Sequence, residues 1–464
     1  MNISELESHI KAGARAHLVG IGGVSMSPLA EVLRNMGITV SGSDMNDSPA
    51  VRHLRSLGID VKIGHHPDNI AGADFIIRTA AARDDNVEIK QARLLGIPVF
   101  ERAEAWGLIM RGYKNAVCVA GTHGKTTTTS MTTHILLAAG TDPTVMIGGT
   151  LSKLNSGYHV GSGDVIVLES CEYYNSFLSF FPTTAVICNI DADHLDFFRD
   201  LDEIKDSFRR FAALVPPDGF IVCNGDDKNT MDALRPLGRE LLTFGFGEDA
   251  AVRAVNIVLD RHGSSFDILH NGGFFCHLDL NVPGEHNIKN ALAATAAVIT
   301  LGIPAEAVSA GLADFTGAMR RFEYKGSLNG AKIYDDYAHH PLELHSLLDA
   351  AGTLGYNRVI LAFQPHTYSR TKALFNDFAA ELRRADLVFL AEIFAAREQN
   401  TIGISSGELA DAVPGAVFCP SFEDMARRIA AVAREGDIIL TVGAGDIYKV
   451  GEQLALQGRR QDAV

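Results

Sequence analysis

The sequence predicts an α/β protein built from three successive domains, and three observations predict it. The chain has 464 residues, more than one hydrophobic core of ordinary size absorbs. Short β-type runs alternate with helix-period segments along its length, the pattern of parallel strands joined by crossover helices. Three glycine-rich stretches, GIGGVS, GTHGKT and TVGAGD, each lie at the end of an apolar run, where strand exits line a ligand crevice.

In the first domain, residues 1–113, the strand ends are HLVGIGG, ITVSGSD, VKIGHH, DFIIRTAA and IPVFER, with SPLAEVLRNMG and NVEIKQARLLG as helices between them. This is a Rossmann-like alternation. Gly20, Gly22 and Gly23 open a helix, and Asp44 ends a strand about 20 residues on, close to a dinucleotide fingerprint. Ser25 stands at the third glycine position, which weakens a nicotinamide reading. The more general expectation is a pyrophosphate received by backbone N–H groups at a helix start.

The second domain, residues 114–318, opens with AVCVAGTHGKTTTTS. A strand, a glycine-bracketed turn, then lysine and hydroxyls at a helix start suit a phosphate loop, and make this a P-loop-type ATPase domain. Only Thr122 and His123 separate Gly121 from Gly124, two residues fewer than in the common pattern. SMTTHILLAAG then reads as an amphipathic helix closed by Gly140. DVIVLESCE, TAVICNIDADHLD and GFIVCNGDD supply three strands ending in polar residues. Residues 243–283 turn to alternating runs with GED, HGSS and NGG turns, which predicts a small antiparallel sheet, and PGEHNIKNALAATAAVITLGI returns to helix.

The third domain, residues 319–464, begins AMRRFEYKGSLNGAKIYDDYAHHP and continues with RVILAFQP, ADLVFLAEI and GDIILTVGAGD as strands. It is again Rossmann-like.

Composition limits the function. The residues are 47% hydrophobic and 21% charged, and the formal net charge is −15. That balance is ordinary for a globular protein and opposes a sequence-independent nucleic-acid binder, which needs a basic face. No signal peptide is visible at the N-terminus, and no run approaches the ~18 apolar residues of a membrane span. Six dispersed cysteines without CxxC spacing read as reduced thiols and suggest a cytoplasmic protein.

The motifs define a chemistry. Main-chain N–H groups from Gly121 to Thr126 would solvate phosphate oxygens, with Lys125 adding positive charge and the Thr126 hydroxyl facing Mg²⁺. Glu169 and His194 end neighbouring strands. They suit a metal pair, and His194 suits equally a hydrogen bond to Asp193 or Asp196. Glu172, Tyr173, Tyr174 and Asn175 read either as substrate contacts or as a helix start. Asn287 and Asn290, beside His286, carry paired donors and acceptors suited to a purine edge, although Asn287 also suits a helix cap. Arg320 and Arg321 fit a phosphate clamp or a solvated linker. Asp335, Asp336, Tyr337, His339 and His340 crowd one strand exit; His366, Ser369 and Arg370 form an anion cradle at another.

Taken in order, HLVGIGGVSMSPLAEVL, SGSD, AGTHGKTTTT, NIDADHLD, GEHNIKNALAA, RRFE, YDDYAHHP, FQPHTYSRT and GAGDI resemble the Mur ligases of peptidoglycan precursor synthesis over essentially the whole chain. Their phosphate loop is GxxGK[ST], which accounts for the short spacing. The resemblance implies an N-terminal domain for the UDP-sugar (Gly20, Gly22, Gly23, Ser43, Asp44), a central ATP domain and a C-terminal amino-acid domain. It assigns ATP to Gly121, Thr122, His123, Gly124, Lys125, Thr126, Thr127, Asn287, Asn290, Arg321 and Asp336. Thr126, Glu169 and His194 become the Mg²⁺ ligands, Lys125, Glu169 and His194 the catalytic set, and His339, His366 and Arg370 substrate contacts. The implied reaction is ATP-dependent joining of L-alanine to the carboxylate of UDP-N-acetylmuramate through an acyl phosphate, by a monomer or dimer.

Two departures from the family pattern stand out. ESCEYYNSF replaces a more acidic EADESD-type stretch, with Cys171 and Tyr174 at aspartate positions. Arg209 stands at the spacing where several relatives carry a carbamylated lysine, and Lys205 lies nearer, so carbamylation is not expected. Three other functions compete: a ligase that recycles an intact tripeptide, a non-catalytic ATP and UDP-sugar sensor, and a nicotinamide dehydrogenase. FQPHTYSRT opposes the first, retention of Lys125, Glu169 and His194 the second, and GTHGKT the third.

Overall fold

The structure, a computed structural model, describes residues 3–462 except 80, 196, 261, 262, 318 and 397. Asp196, one expected partner of His194, lies outside the described residues. The chain divides into two compact units, Met1–Ile190 with Ile204–Phe244 and Ala293–Ala307, and Asp191–Glu203 with Gly245–Leu292 and Val308–Val464.

The first unit holds a five-stranded parallel sheet. From one edge to the other its strands are Asp60–Ile63, Thr39–Asp44, Arg15–Val19, Phe75–Arg78 and Val99–Glu101. All five coincide with the strand ends read from sequence. Two helices of this segment, Pro49–Ser56 and Arg102–Met110, carry weaker sequence patterns and were not among the expected elements. Pro49 at the helix start and the Ser48 cap define the first, and Glu101 and Glu104 form a capping box for the second.

A second sheet in this unit is centred on Asn115–Ala120, which pairs in parallel with Thr184–Ile187 and Val165–Glu169. Phe220–Asn224 and Leu242–Gly245 extend it beyond Thr184–Ile187, and Thr144–Leu151 lies outside Val165–Glu169. The helix Lys125–Ala138 follows the central strand. It is not amphipathic as expected: every residue from Thr126 to Leu136 is buried. The threonines conceal this in sequence, because their hydroxyls are satisfied locally. Thr129, Thr132 and Thr133 each donate at 2.8 Å to a carbonyl one turn back.

In the second unit, Val252–Leu259, Ser264–His270 and Gly273–Leu280 form the expected antiparallel strands. A six-stranded sheet follows, in the order Glu323–Leu328, Ala331–Asp336, Asp437–Val442, Arg358–Phe363, Leu387–Leu390, Val417–Phe418. Its first pair is antiparallel and the rest are parallel. Both faces are buried: along Arg358–Phe363, Leu361 and Phe363 pack into one cluster, Ile360 and Ala362 into another. That alternation with no polar face is why such strands read as continuous apolar runs.

Candidate functional site

The phosphate loop joins Asn115–Ala120 to Lys125–Ala138, and its glycines have steric reasons. Gly121 has φ +141°, and a Cβ there would lie 2.9 Å from the Cys188 Cβ. Gly124, at φ +81°, sets the turn into the helix. Two of the amides expected to face phosphate are already used. Thr122 N–H donates to the Asn189 carbonyl at 3.1 Å, and His123 N–H to Asn189 Oδ1 at 2.8 Å. Asn189 Nδ2 returns a bond to the His123 carbonyl at 3.0 Å. The donors without an intrahelical acceptor are those of the helix's first turn, from Lys125 on. Asn189 was missed in sequence; its place two residues past a strand adjacent to the loop's own strand was the available signal.

Lys125 Nζ is enclosed by acceptors: the carbonyls of Gly121 at 2.5 Å and Thr122 at 3.2 Å, and the Glu172 carboxylate at 3.1 and 3.3 Å. Burial opposes its charge, but Glu172, with Cys171 and Glu169, outweighs that and raises its pKa above the ordinary lysine value. Burial pushes the Cys171 thiol itself up to about 12, so it stays protonated beside this carboxylate pair.

Glu169 ends Val165–Glu169 in register with Val119 of the loop's strand. Its Oε1 accepts from the Thr126 hydroxyl at 3.1 Å and its Oε2 from Gly148 N–H at 2.7 Å. A Cβ at Gly148 would run into the same carboxylate, so a side chain there would have to displace Glu169 from this position. A hydroxyl and a carboxylate in contact beside a phosphate loop fit Mg²⁺, which takes one or two protein oxygens and fills its remaining positions with water and phosphate. The expected third ligand, His194, belongs to the other unit. Among the described residues no cluster of three or more His, Cys, Asp or Glu side chains is assembled as a metal site.

The glycine loop of the first segment behaves differently from expectation. Gly20 and Ile21 N–H donate to the Ser43 carbonyl at 2.8 and 3.0 Å, Gly22 N–H to Asp44 Oδ2 at 2.9 Å, and Gly23 N–H to the Gly20 carbonyl at 3.1 Å. Met26 and Ser27 N–H donate to the Gly23 carbonyl. These amides thus serve the loop itself rather than an incoming pyrophosphate. Ser43 is fully buried and its hydroxyl donates to Glu88 at 2.6 Å, so its side chain supports the loop from beneath. Glu88 also accepts from Asn69 at 2.6 Å. Burial raises its pKa, but these hydrogen bonds and His17 outweigh that and hold it down at about 2.

In the second unit Asp193, His339, His366 and Arg370 come together. Arg370 holds Asp193 Oδ1 at 2.9 Å and lies 3.2 Å from His366 Nδ1. The His339 and His366 rings are 5.6 Å apart. Burial, aided by the neighbouring cations, lowers His366 to about 3; burial lowers His339 to about 4 against the pull of Glu343. These shifts favour the neutral imidazoles, which can accept a hydrogen bond. Arg370, read as an anion cradle, is thus already paired. His194 sits on a left-handed backbone, φ +53°, with its N–H on Asp193 Oδ1 at 2.7 Å.

Asn287 and Asn290 are both nearly buried and touch each other, Asn290 Nδ2 lying 3.4 Å from Asn287 Oδ1. Asn287 Nδ2 donates to the Pro283 carbonyl at 2.7 Å. The two arginines of RRF both lie over the Tyr337 ring, at 5.1 and 5.3 Å, but take different polar partners. Arg320 is a structural clamp on Asp335 at 2.9 Å and on the Gly443 and Gly445 carbonyls. Arg321 lies over the Tyr337 ring, 3.8 Å from Glu343. Asp336 accepts from Phe322 and Ala338 N–H at 2.7 Å, while burial lifts its carboxyl to about 6.

Three family models match this chain: the Mur ligase family catalytic domain over residues 15–114, the Mur ligase middle domain over 119–298, and the Mur ligase glutamate ligase domain over 320–445. A UDP-N-acetylmuramate–L-alanine ligase of Caldanaerobacter subterraneus is 44% identical over 98% of this chain and 100% of its own length. One from Agathobacter rectalis is 46% identical over 94% and 97%. Among solved structures, the UDP-N-acetylmuramate–alanine ligase of Thermotoga maritima superposes with a TM-score of 0.79 at 30% identity, covering 97% of this chain and 100% of that one. A murein peptide ligase of Psychrobacter arcticus, at 24% identity and a TM-score of 0.69, shares the fold over 96% of this chain and 98% of that one.

Proposed function

The chain belongs to the Mur ligase family, and from that premise we propose that it joins L-alanine to the lactyl carboxylate of UDP-N-acetylmuramate. It is an ATP-dependent, amide-forming ligase of peptidoglycan precursor synthesis. The observation that carries the chemistry is the phosphate loop, with Lys125 at the helix start and Thr126 against Glu169.

In the first step a carboxylate oxygen of the sugar attacks the γ-phosphorus of ATP, and the bond to the β-phosphate oxygen breaks to release ADP. The first-turn amides and Lys125 stabilise charge on the phosphoryl oxygens. Thr126 and Glu169, and by family resemblance His194, would hold Mg²⁺, which supplies charge neutralisation between carboxylate and triphosphate. In the second step the neutral amine of L-alanine attacks the acyl carbonyl, the carbon–oxygen bond to phosphate breaks, and the amine proton leaves with the phosphate as hydrogen phosphate. Neutral His339 and His366 are the imidazoles available to direct substrate beside Arg370.

Asn287 and Asn290 fit the adenine edge, with Arg321 and Asp336 on the phosphate and ribose side. Gly20, Gly22, Gly23, Ser43 and Asp44 build the UDP-sugar loop, with Asp44 its ligand-facing carboxylate. We divide the chain into UDP-sugar, ATP and amino-acid domains at residues 113 and 318. No helix among the described residues is long and apolar enough to cross a membrane, and a cytoplasmic location suits the soluble substrates.

The test is phosphate release in the presence of ATP, Mg²⁺ and UDP-N-acetylmuramate, with L-alanine or the tripeptide as the amine. Turnover is expected with L-alanine. Turnover with tripeptide alone would overturn the reading, and phosphate release without Mg²⁺ would remove the metal from it.

A further inference from the structure

Glu172 is three residues past Glu169 and is 2% exposed. The turn that carries it departs from ordinary backbone geometry. Tyr174 and Asn175, the third and fourth residues of the turn, both take left-handed backbone angles, φ 54° for each. For a tyrosine this is a strained choice that the surroundings must enforce.

The enforcement is visible on three sides. Asn175 N–H donates to the Glu172 carbonyl at 2.8 Å, and Asn175 Oδ1 accepts from the Ser207 hydroxyl. Phe177, fully buried, stacks on Phe211 at 4.5 Å and meets Phe208 edge-on at 5.3 Å. Gly107 leaves room for the Ser179 carbonyl, which any Cβ there would strike. The carboxylate is thus delivered to Lys125 by a framed turn.

An ammonium has three N–H donors. At Lys125 they face four acceptor oxygens: two loop carbonyls and both oxygens of Glu172. A terminal phosphate cannot be added to that set; it has to replace a member. The loop carbonyls are part of the turn that binds nucleotide, whereas Glu172 is an anion of phosphate-like charge that an incoming phosphate repels.

We propose that Glu172 is an exchangeable stand-in for the nucleotide's terminal phosphate, holding Lys125 charged and aimed into the loop until ATP displaces it. Glu172 is on this account a positioning residue that also sets the threshold for nucleotide entry. A ligand carrying the terminal phosphate can complete the exchange, while a diphosphate has less to offer Lys125 in return.

The inference rests on the ATP reading of the loop, and binding measurements separate the two. ATP and ADP dissociation constants are determined by calorimetry, with Mg²⁺ and without UDP-sugar, for the wild-type chain, Glu172→Gln and Glu172→Asp. Glu172→Gln is expected to bind ATP roughly tenfold tighter, the scale of a typical coupling between competing sites, with a smaller change for ADP. Glu172→Asp, which keeps the charge, is expected to stay near wild type.

The gain should also vanish when Glu172→Gln is combined with Lys125→Met, since the exchange partner is then absent. Unchanged or weaker ATP binding by a folded Glu172→Gln protein overturns the proposal, as does a gain that survives Lys125→Met. Should Glu172→Gln fail to fold, a shorter carboxylate still reports: tight ATP binding by Glu172→Asp equal to its ADP binding overturns the proposal. Failure of the wild-type chain to bind ATP would instead overturn the ATP reading itself.

Discussion

The two glycine loops of the first unit start from the same local plan and end with different chemistry. Each follows a parallel strand, turns on glycines and opens a helix. At Gly20–Ser25 the amides are given to Ser43, Asp44 and the loop's own Gly20 carbonyl. At Gly121–Gly124 an outside residue, Asn189, takes the Thr122 and His123 amides, leaving the next turn facing outward with Lys125 at its head. Glycines decide that a chain can turn tightly. The neighbouring strands decide which donors the turn keeps for a ligand.

The strongest way to break this comparison is to remove the group found in only one of the loops. Lys125→Ala should lower kcat on the order of 10³-fold, because a charge aimed at the transferring phosphoryl group acts mainly in the transition state. Phosphate release at saturating substrates measures it, with circular dichroism as the check on folding. Full activity in this variant would mean that the second loop is no more chemical than the first.

Asn189→Ala comes next. It leaves the His123 N–H and the His123 carbonyl without their side-chain partners, while the Thr122 N–H keeps the main-chain carbonyl of residue 189, so the loop should lose part of its fixed shape. KM for ATP should rise about tenfold, with a stability loss of about 1–3 kcal/mol from the unsatisfied buried groups. KM for UDP-N-acetylmuramate should hardly move, and a rise in both would show that Asn189 acts on the whole unit.

Asp44→Ala is the mirror experiment in the first loop and has the smallest expected effect. It frees the Gly22 amide and removes the carboxylate, so KM for the UDP-sugar should rise several-fold, within the range for one lost charged hydrogen bond. KM for ATP and kcat should stay near wild type. An effect confined to ATP would reverse the assignment of the two loops.

Most of the strand ends were legible because a strand buried on both faces leaves an apolar run, and its exit leaves a polar one. Helix Pro49–Ser56 was not, since only Val51 and Leu54 are buried and the pattern is too short to stand out. What could be read of the candidate residues was local: Lys125 and Thr126 in the loop and Glu169 at a strand end in the first unit, and the histidines of YDDYAHHP and FQPHTYSRT in the second. What each side chain would touch was not legible. Arg320 and Arg321 are adjacent in sequence and both lie over Tyr337, yet one is locked on Asp335 and the other is directed to Glu343.

By itself, then, the sequence determined the class of fold, the order of the domains and the type of chemistry, because hydrophobic period, glycine placement and reactive side chains act over a few residues. Tertiary structure alone decided that Asn189 holds the phosphate loop, that Glu172 occupies Lys125, and that Arg370 meets Asp193 across 177 positions of chain. Those pairings depend on strand order and on the directions in which turns deliver their side chains. Neither quantity is written in any local stretch.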